Sequence, residues 1–484
     1  MVFHSVAFVP FIAAFFACYF LSRKFSQHQK VIILFSCIFY GWWDWRCLGL
    51  LALTIVIDFF AAIKIEDSKE MLIRRRWLWL SIGSNLAILF VFKYFNFFST
   101  EFVALLNFMG MSVEPIVLNL ILPIGLSYYT FQSMGYTIDV YRREIPAERN
   151  AISFSAFVSF FPQLQVGPIE KASRLLPQIK EPKWVSREDI KTGLFLILVG
   201  YFKKIVIAER LHPFVNSFYD HPSQYESGWT FVMASYFLFI FVYCDFSGYC
   251  NIASGLARIM GIRLMDNFLA PFSATSPSEF FQRWHISMTQ WIKSYILYPL
   301  ALWSGRIVPS LFVALFVMGL WHGASMNFVL WGMAVFAMTM LFAGIGRLQK
   351  KIDRRYAPAF KLFRHVFMKT VFIFFSASLI RIKDLKDGIY ILKKIVHMDK
   401  LDVFYGDISR KIIFPGLGIS DFIIGVGLII GLFIFQHIQG KRPIENYVFS
   451  MSRMFRFVFV GCLILGLLFF RPLEIDDRYF YFQF

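Results

Sequence analysis

The sequence predicts an all-α, polytopic integral-membrane helical bundle, and three observations carry that prediction. Of 484 residues, 58% are hydrophobic and only 17% charged, against roughly 25% charged in ordinary soluble domains. Residues 307–346 form a 40-residue run without a charged side chain, enough for two crossings at about 20 residues each. The basic residues gather in separated loops. A soluble fold could not hide this much apolar surface without exposing large sticky patches, and a chain this apolar does not stay unfolded and solvated.

Taken in order, the apolar segments are 5–22, 31–43, 47–63, 77–98 and 115–138, then 151–169, 192–208, 228–244 and 294–305. After the uncharged run come 370–380, 422–440 and 457–470. These amount to about 10–13 membrane-embedded helices. Some are too short or polar to cross alone, which places them inside a protein bundle or makes them re-entrant. Segment 151–169 is the clearest of these, because Pro162, Gly167 and Pro168 break it. There is no internal repeat and no low-complexity linker, so residues 1–484 read as one membrane unit. The first segment lacks the basic start of a cleaved signal peptide and reads as a retained span.

The loops 23–30, 64–76 and 139–149 are basic, whereas 44–46 and 101–114 hold a single Arg between them. Because cytosolic loops collect Lys and Arg, the alternation places the N-terminus outside the cytosol. Loop 220–226, with two acids and no Lys or Arg, suits the outer side, and 347–369, with eight basic residues, suits the inner one. The net charge of +18 is therefore a topology signal and not a nucleic-acid signal. The six cysteines lie in or beside apolar stretches without a CxxC pair, which predicts neither a disulfide framework nor a metal site.

Ionisable residues deep in apolar sequence are functional candidates by default. His322 stands within Gly319-Leu320-Trp321-His322-Gly323, mid-way through the uncharged run. A neutral imidazole there could take a proton from a hydroxyl; the alternative is a histidine hydrogen-bonded between helices. Gly319 and Gly323 would let a substrate or another backbone come close. The second candidate is Gln282-Arg283-Trp284-His285 after Ser276-Pro277-Ser278-Glu279. Ser276 or Ser278 could cap a helix carrying Gln282, Arg283 and His285, and the stretch could bind an anionic group or simply anchor at headgroup depth. Asp245 and Ser247 interrupt an apolar stretch; Asp245 could orient a histidine or pair with Arg258 or Arg263. Gln163 and Gln165 lie in the Pro/Gly-broken patch and read as the lining of a tunnel, or as a plain kink. Walker A, GxGxxG, GxSxG and HExxH motifs are absent, and a haem held by His285 and His322 is conceivable but disfavoured.

Several of these pieces, in order along nearly the whole chain, resemble the membrane-bound O-acyltransferase (MBOAT) family in its bacterial branch. They are Met1-Val2-Phe3, Tyr40-Gly41-Trp42-Trp43, Pro123-Ile124-Gly125-Leu126-Ser127-Tyr128-Tyr129-Thr130-Phe131-Gln132 and Phe161-Pro162-Gln163-Leu164 with Gly167-Pro168-Ile169. Asp245-Phe246-Ser247-Gly248-Tyr249, Phe281-Gln282-Arg283-Trp284-His285-Ile286-Ser287, Leu320-Trp321-His322-Gly323 and the aromatic tail Tyr481-Phe482-Gln483-Phe484 complete the set. The resemblance implies a bundle with funnels from both faces and a central tunnel. It implies that His322 matches the family's catalytic histidine and His285 a second characteristic one. It also implies transfer of an acyl group from a cytosolic thioester, acetyl-CoA for acetylating members, to a hydroxyl. In the bacterial branch the group crosses the inner membrane to an envelope polysaccharide through extracytoplasmic acetyltransferase partner proteins. Related members serve alginate, acetylated cellulose, peptidoglycan and, for D-alanine, teichoic acid. Where relatives show Trp and then Phe-Arg-Ala, this chain has Ile380-Arg381-Ile382.

The expectation is thus a multi-pass inner-membrane O-acetyltransferase acting on an alginate-like exported polysaccharide. It needs no bound cofactor, no metal and no nucleic acid. His322 would be the base, with His285 supporting the donor or the tunnel. Trp321 and Asn327 are candidate assistants for the developing oxyanion. The rivals are a flippase of an envelope precursor, whose polar patches would line a substrate path, and a scaffold whose tail 479–484 docks an envelope partner.

Overall fold

The computed structural model describes residues 1–23, 27–349, 357–368, 372, 379–382, 385–396 and 419–471. Most of the expected 370–380 span, part of the basic segments 23–30 and 347–369, and all of the aromatic tail lie outside the described residues. Within them the regular elements are helices, with one isolated bridge between Phe268 and Trp284. Among the described residues five helices are long and apolar enough to cross a bilayer: Cys47–Asp67, Met71–Phe108, Gly228–Ile259, Met326–Leu348 and Ile419–Gln439. Phe8–Arg23 and Ile307–His322 are shorter apolar helices. The chain divides into two compact units.

The first unit comprises Met1–Ile197 and Ile252–Met265. Its Phe8–Arg23 and His28–Gly41 helices meet through phenylalanine rings, with Phe161 inserted 4.9 Å from Phe15 and 5.4 Å from Phe39. Phe161 belongs to the broken segment, which runs as Ala151–Val158 and then the four-residue turn Phe161–Leu164. Asn150 starts the first piece by accepting from the Ile152 and Ser153 backbone N–H groups, an ordinary N-cap. A Cβ on Gly167 would overlap Gln163, so the chain can turn back there only with glycine.

Three helices of this unit converge on Asp58, which the sequence reading passed over. Ser81 donates to its carboxylate at 2.6 Å and Asn85 at 2.9 Å, and Ser133 donates as well. One acid thereby ties Cys47–Asp67 to Met71–Leu89 and Leu126–Tyr141. The expected helix 115–138 is corrected: it starts only at Leu126 and runs to Tyr141. Pro115 and Pro123 remove backbone donors, and Gly125 takes the left-handed conformation at φ 77° immediately before the first turn.

The second unit comprises Leu198–Asn251 and Asp266–Phe484. The helix that supplies its 228–251 portion continues unbroken from Gly228 to Ile259, through Asp245-Phe246-Ser247-Gly248-Tyr249. Its apolar window is 83% buried, against 17% for Ile419–Gln439, so it is an interior element while the latter turns side chains outward. Small residues allow that burial: a Cβ on Gly248 would stand 2.9 Å from the Gly200 carbonyl. The uncharged run forms two helices as expected, Ile307–His322 and Met326–Gln349. They touch backbone to backbone, since a Cβ on Gly332 would lie 2.5 Å from the Leu315 carbonyl and one on Gly319 would overlap that of Phe328.

Candidate active site

The second unit brings both candidate histidines together. His322 is the last residue of Ile307–His322, where the helix stops because Gly323 adopts an extended conformation. Its ring is half-buried and lies 5.1 Å from those of Trp321 and Trp331, with Phe328 stacked at 6.4 Å. His285, fully buried, stands 6.4 Å from His322 and 5.7 Å from Trp321. Phe246 meets His285 edge-on at 4.8 Å. The result is two imidazoles enclosed by aromatic walls at the end of a helix without charge.

Gly319 and Gly323 serve packing here. The space beside Gly319 is filled by the Phe328 backbone, and a Cβ on Gly323 would overlap the Phe328 ring. The close approach expected of them is made by the neighbouring helix, which sets the position of His322 relative to Trp331.

The helix expected through Gln282, Arg283 and His285 is corrected. Ser276 does cap a helix, accepting from the Glu279 N–H at 3.2 Å, but that helix is Pro277–Phe281. The chain then leaves the helix in a turn: the Leu269 N–H donates to the Arg283 carbonyl at 2.9 Å, and the Ile286 N–H to the Asn267 carbonyl at 3.1 Å. His285 sits between two helices in the left-handed region, at φ 44°. A non-glycine residue is held there only when its surroundings over-determine it, a feature that concentrates at functional sites.

Around it, Gln282 is exposed. Arg283 is buried and committed within the protein, to Glu279 at 2.7 Å and more weakly to the Leu269 and Ala270 carbonyls. Its anionic partner is thus an internal carboxylate. Trp284 lies between Phe239 and Phe280, at 5.1 and 5.3 Å. Asn327 donates to the Ile382 carbonyl, which fastens the Arg381 segment to the helix that follows His322. Arg381 itself binds Asp220 at 2.8 Å and Asn216 at 3.2 Å.

Asp245 pairs with neither of the expected arginines. Lys204 lies 2.6 Å from Asp245 and 2.6 Å from Glu209, all three side chains at 3% exposure or less. In the first unit Arg258 pairs instead with Asp189 at 2.8 Å, and Arg263 contacts the same carboxylate at 3.3 Å. Ser247 is buried two residues beyond Asp245 on the same helix. Lys204 comes from the π-helical turn Phe202–Ala208, a distortion common at functional sites. The sequence held a signal for it: Lys203-Lys204 are cations inside the apolar segment 192–208, and a buried acid such as Asp245 requires a cation nearby.

Gln163 and Gln165 belong to the first unit. Gln163 donates to Gln132 at 2.8 Å, and Gln165 to the Met1 carbonyl at 3.2 Å. Both are buried, and Gln132 in turn donates to the Phe157 carbonyl of the broken segment at 2.9 Å.

Residues 142–382 match the model of MBOAT, the membrane-bound O-acyltransferase family, a stretch that includes both histidines. The chain is similar to a Pseudomonas putida protein named "Probable alginate O-acetylase AlgI", 34% identical over 340 residues, covering 69% of this chain and 68% of the relative. It is similar to the peptidoglycan O-acetyltransferase of Helicobacter pylori, 30% identical over 445 residues, covering 82% and 80%. It is also similar to the teichoic acid D-alanyltransferase of Bacillus subtilis, 27% identical over 233 residues, covering 44% and 57%.

Proposed function

This chain belongs to the membrane-bound O-acyltransferase family, and from that premise we propose that His322 is the base with which it acetylates an exported, alginate-like polysaccharide. It is a multi-pass membrane acyltransferase; the bacterial inner membrane is its proposed place, acetyl-CoA on the cytosolic side its proposed donor, and extracytoplasmic acetyltransferases its proposed partners. The observation that carries the role of His322 is its pairing with His285, ring to ring at 6.4 Å, inside an aromatic enclosure at the end of an uncharged helix.

The chemistry follows from that environment. The acceptor hydroxyl oxygen attacks the thioester carbonyl carbon; the new C–O bond forms as the C–S bond breaks. The hydroxyl proton passes to the His322 ring and from there to the departing thiolate, so protons and charge balance. A positioned base of this kind contributes about 10²–10⁴-fold. The buried indole N–H of Trp331, whose side chain meets the His322 ring at 5.1 Å, supplies a donor for the developing oxyanion. Donor and acceptor would meet at His322 from opposite faces, so the acyl group never enters lipid free.

A peptidoglycan acceptor is the second reading, favoured by the greater length of chain shared with the Helicobacter pylori relative. The test is the acetyl content of the envelope polymer in a His322→Ala strain that retains normal protein in the membrane. Loss of acetyl groups is expected; unchanged acetylation refutes the role of His322. Analysing alginate and peptidoglycan separately distinguishes the acceptors.

A further inference from the structure

We infer that Asn267 is a positioning residue that fixes the ring plane of His285 and the tautomer of its neutral form, with the proton on Nδ1 and the lone pair on Nε2. The inference rests on the acyl-transfer reading for its function and on the local geometry for its structure.

Asn267 is buried and bonds, from a segment 18 positions earlier, to the turn that carries His285. Its Oδ1 receives the Ser287 backbone N–H at 3.1 Å, the Ser287 hydroxyl at 2.9 Å and His285 Nδ1 at 3.3 Å. Its Nδ2 points to the Cys250 sulfur at 3.4 Å. The orientation of an amide must be assigned from its neighbours, and here one neighbour decides it. The Ser287 backbone N–H can only donate, so the atom facing it is the oxygen. An oxygen at that place obliges His285 Nδ1 to be the protonated nitrogen. In the neutral ring Nε2 then carries the lone pair.

The same residue holds the backbone. The Asn267 carbonyl accepts the Ile286 N–H at 3.1 Å, so main chain and side chain of Asn267 grip the two residues after His285 as well as its ring. That double grip explains how His285 keeps its positive φ. His285 therefore enters the reaction as an acceptor: it can take a hydrogen bond or a proton at Nε2, and it has no Nε2 proton to give. This divides labour with His322, 6.4 Å away, because one imidazole of the pair has its tautomer set by the protein.

The test joins kinetics to a direct reading of the ring. In purified protein with labelled acetyl-CoA and an oligosaccharide acceptor, Asn267→Leu should lower kcat roughly ten- to a hundredfold, the range for a lost buried hydrogen-bond partner. KM for acetyl-CoA should change little. Asn267→Asp keeps an oxygen facing His285 and should restore most of kcat. Nitrogen-15 spectra of histidine-labelled protein should show His285 protonated on Nδ1 in the unaltered chain and in Asn267→Asp. A proton on Nε2 in the unaltered chain overturns the inference, even if Asn267→Leu fails to accumulate. So does wild-type kcat in Asn267→Leu. Failure of the acyl-transfer reading looks different: no thioester turnover by the unaltered protein, with the nitrogen spectra still reporting the tautomer.

Discussion

His285 and His322 face each other at 6.4 Å and 66° between ring planes, although 37 positions apart in sequence. One is buried in a turn between helices and the other is half-buried at a helix end. The two are held by different means. A side-chain amide and two backbone bonds grip the turn, whereas packing of two glycine-notched helices sets the helix end.

The first prediction concerns that packing. Gly332→Ala would place a methyl 2.5 Å from the Leu315 carbonyl, forcing the helices apart. Overpacking of this kind costs about 1–3 kcal/mol. The detergent-solubilised variant should melt earlier and turn over thioester more slowly, because His322 moves with its helix. A melting temperature equal to wild type would show that the notch is not needed.

The second concerns Lys204. Lys204→Met leaves Asp245 and Glu209 buried without their cation, and breaking such a cluster costs about 3–5 kcal/mol. The triple change Lys204→Met, Asp245→Asn, Glu209→Gln should be milder than the single one, because no charge is then stranded. Thermal unfolding of the two variants side by side decides it; a triple variant no more stable than the single one contradicts the argument.

The third is a pH dependence. Burial alone would raise the Glu279 carboxyl, but hydrogen bonds from the Thr275 backbone, Arg283 and the Thr275 hydroxyl outweigh it and hold it at about 2, below the ordinary 4.5. A depressed folded value stabilises above the ordinary one, and the support is lost as pH falls toward the folded value. Glu279→Gln should therefore melt below wild type at about pH 7, with the gap closing toward about pH 3. A gap that is constant with pH would sink the carboxylate's role.

The fourth is Asp58. Replacing it by leucine strands the Ser81, Asn85 and Ser133 donors, each at a cost of about 1–3 kcal/mol. Asp58→Asn keeps an acceptor and should retain more stability. Protein level in the membrane after expression at two temperatures reports the order; equal loss in both variants would mean that the acceptor is not what matters.

Much of the helix order was legible because burial in lipid demands long apolar runs, and breaks in those runs are written as Pro, Gly and charge. The two helices of 307–346 and the broken segment at 151–169 were read that way. The start at Leu126 was not, because Pro115–Leu122 is apolar enough to pass for helix, and only the left-handed Gly125 marks the true beginning. The partner of Asp245 was missed because contact order along the chain is silent on which cation folds back to an acid: Arg258 is nearer in sequence than Lys204, 13 positions against 41.

By itself the sequence determined the environment: a membrane-embedded helical chain, one histidine in an uncharged run and another beside an arginine. Periodic apolarity and charge gaps are local properties, so they survive being read as text. Only the tertiary structure decided that Arg283 is spent on Glu279 and that Asp245 belongs to Lys204. It also decided that the imidazole of His285 is gripped by Asn267. These are pairings across turns and helices, set by which buried donors must find acceptors once the chain is packed, and composition does not encode which donor meets which acceptor.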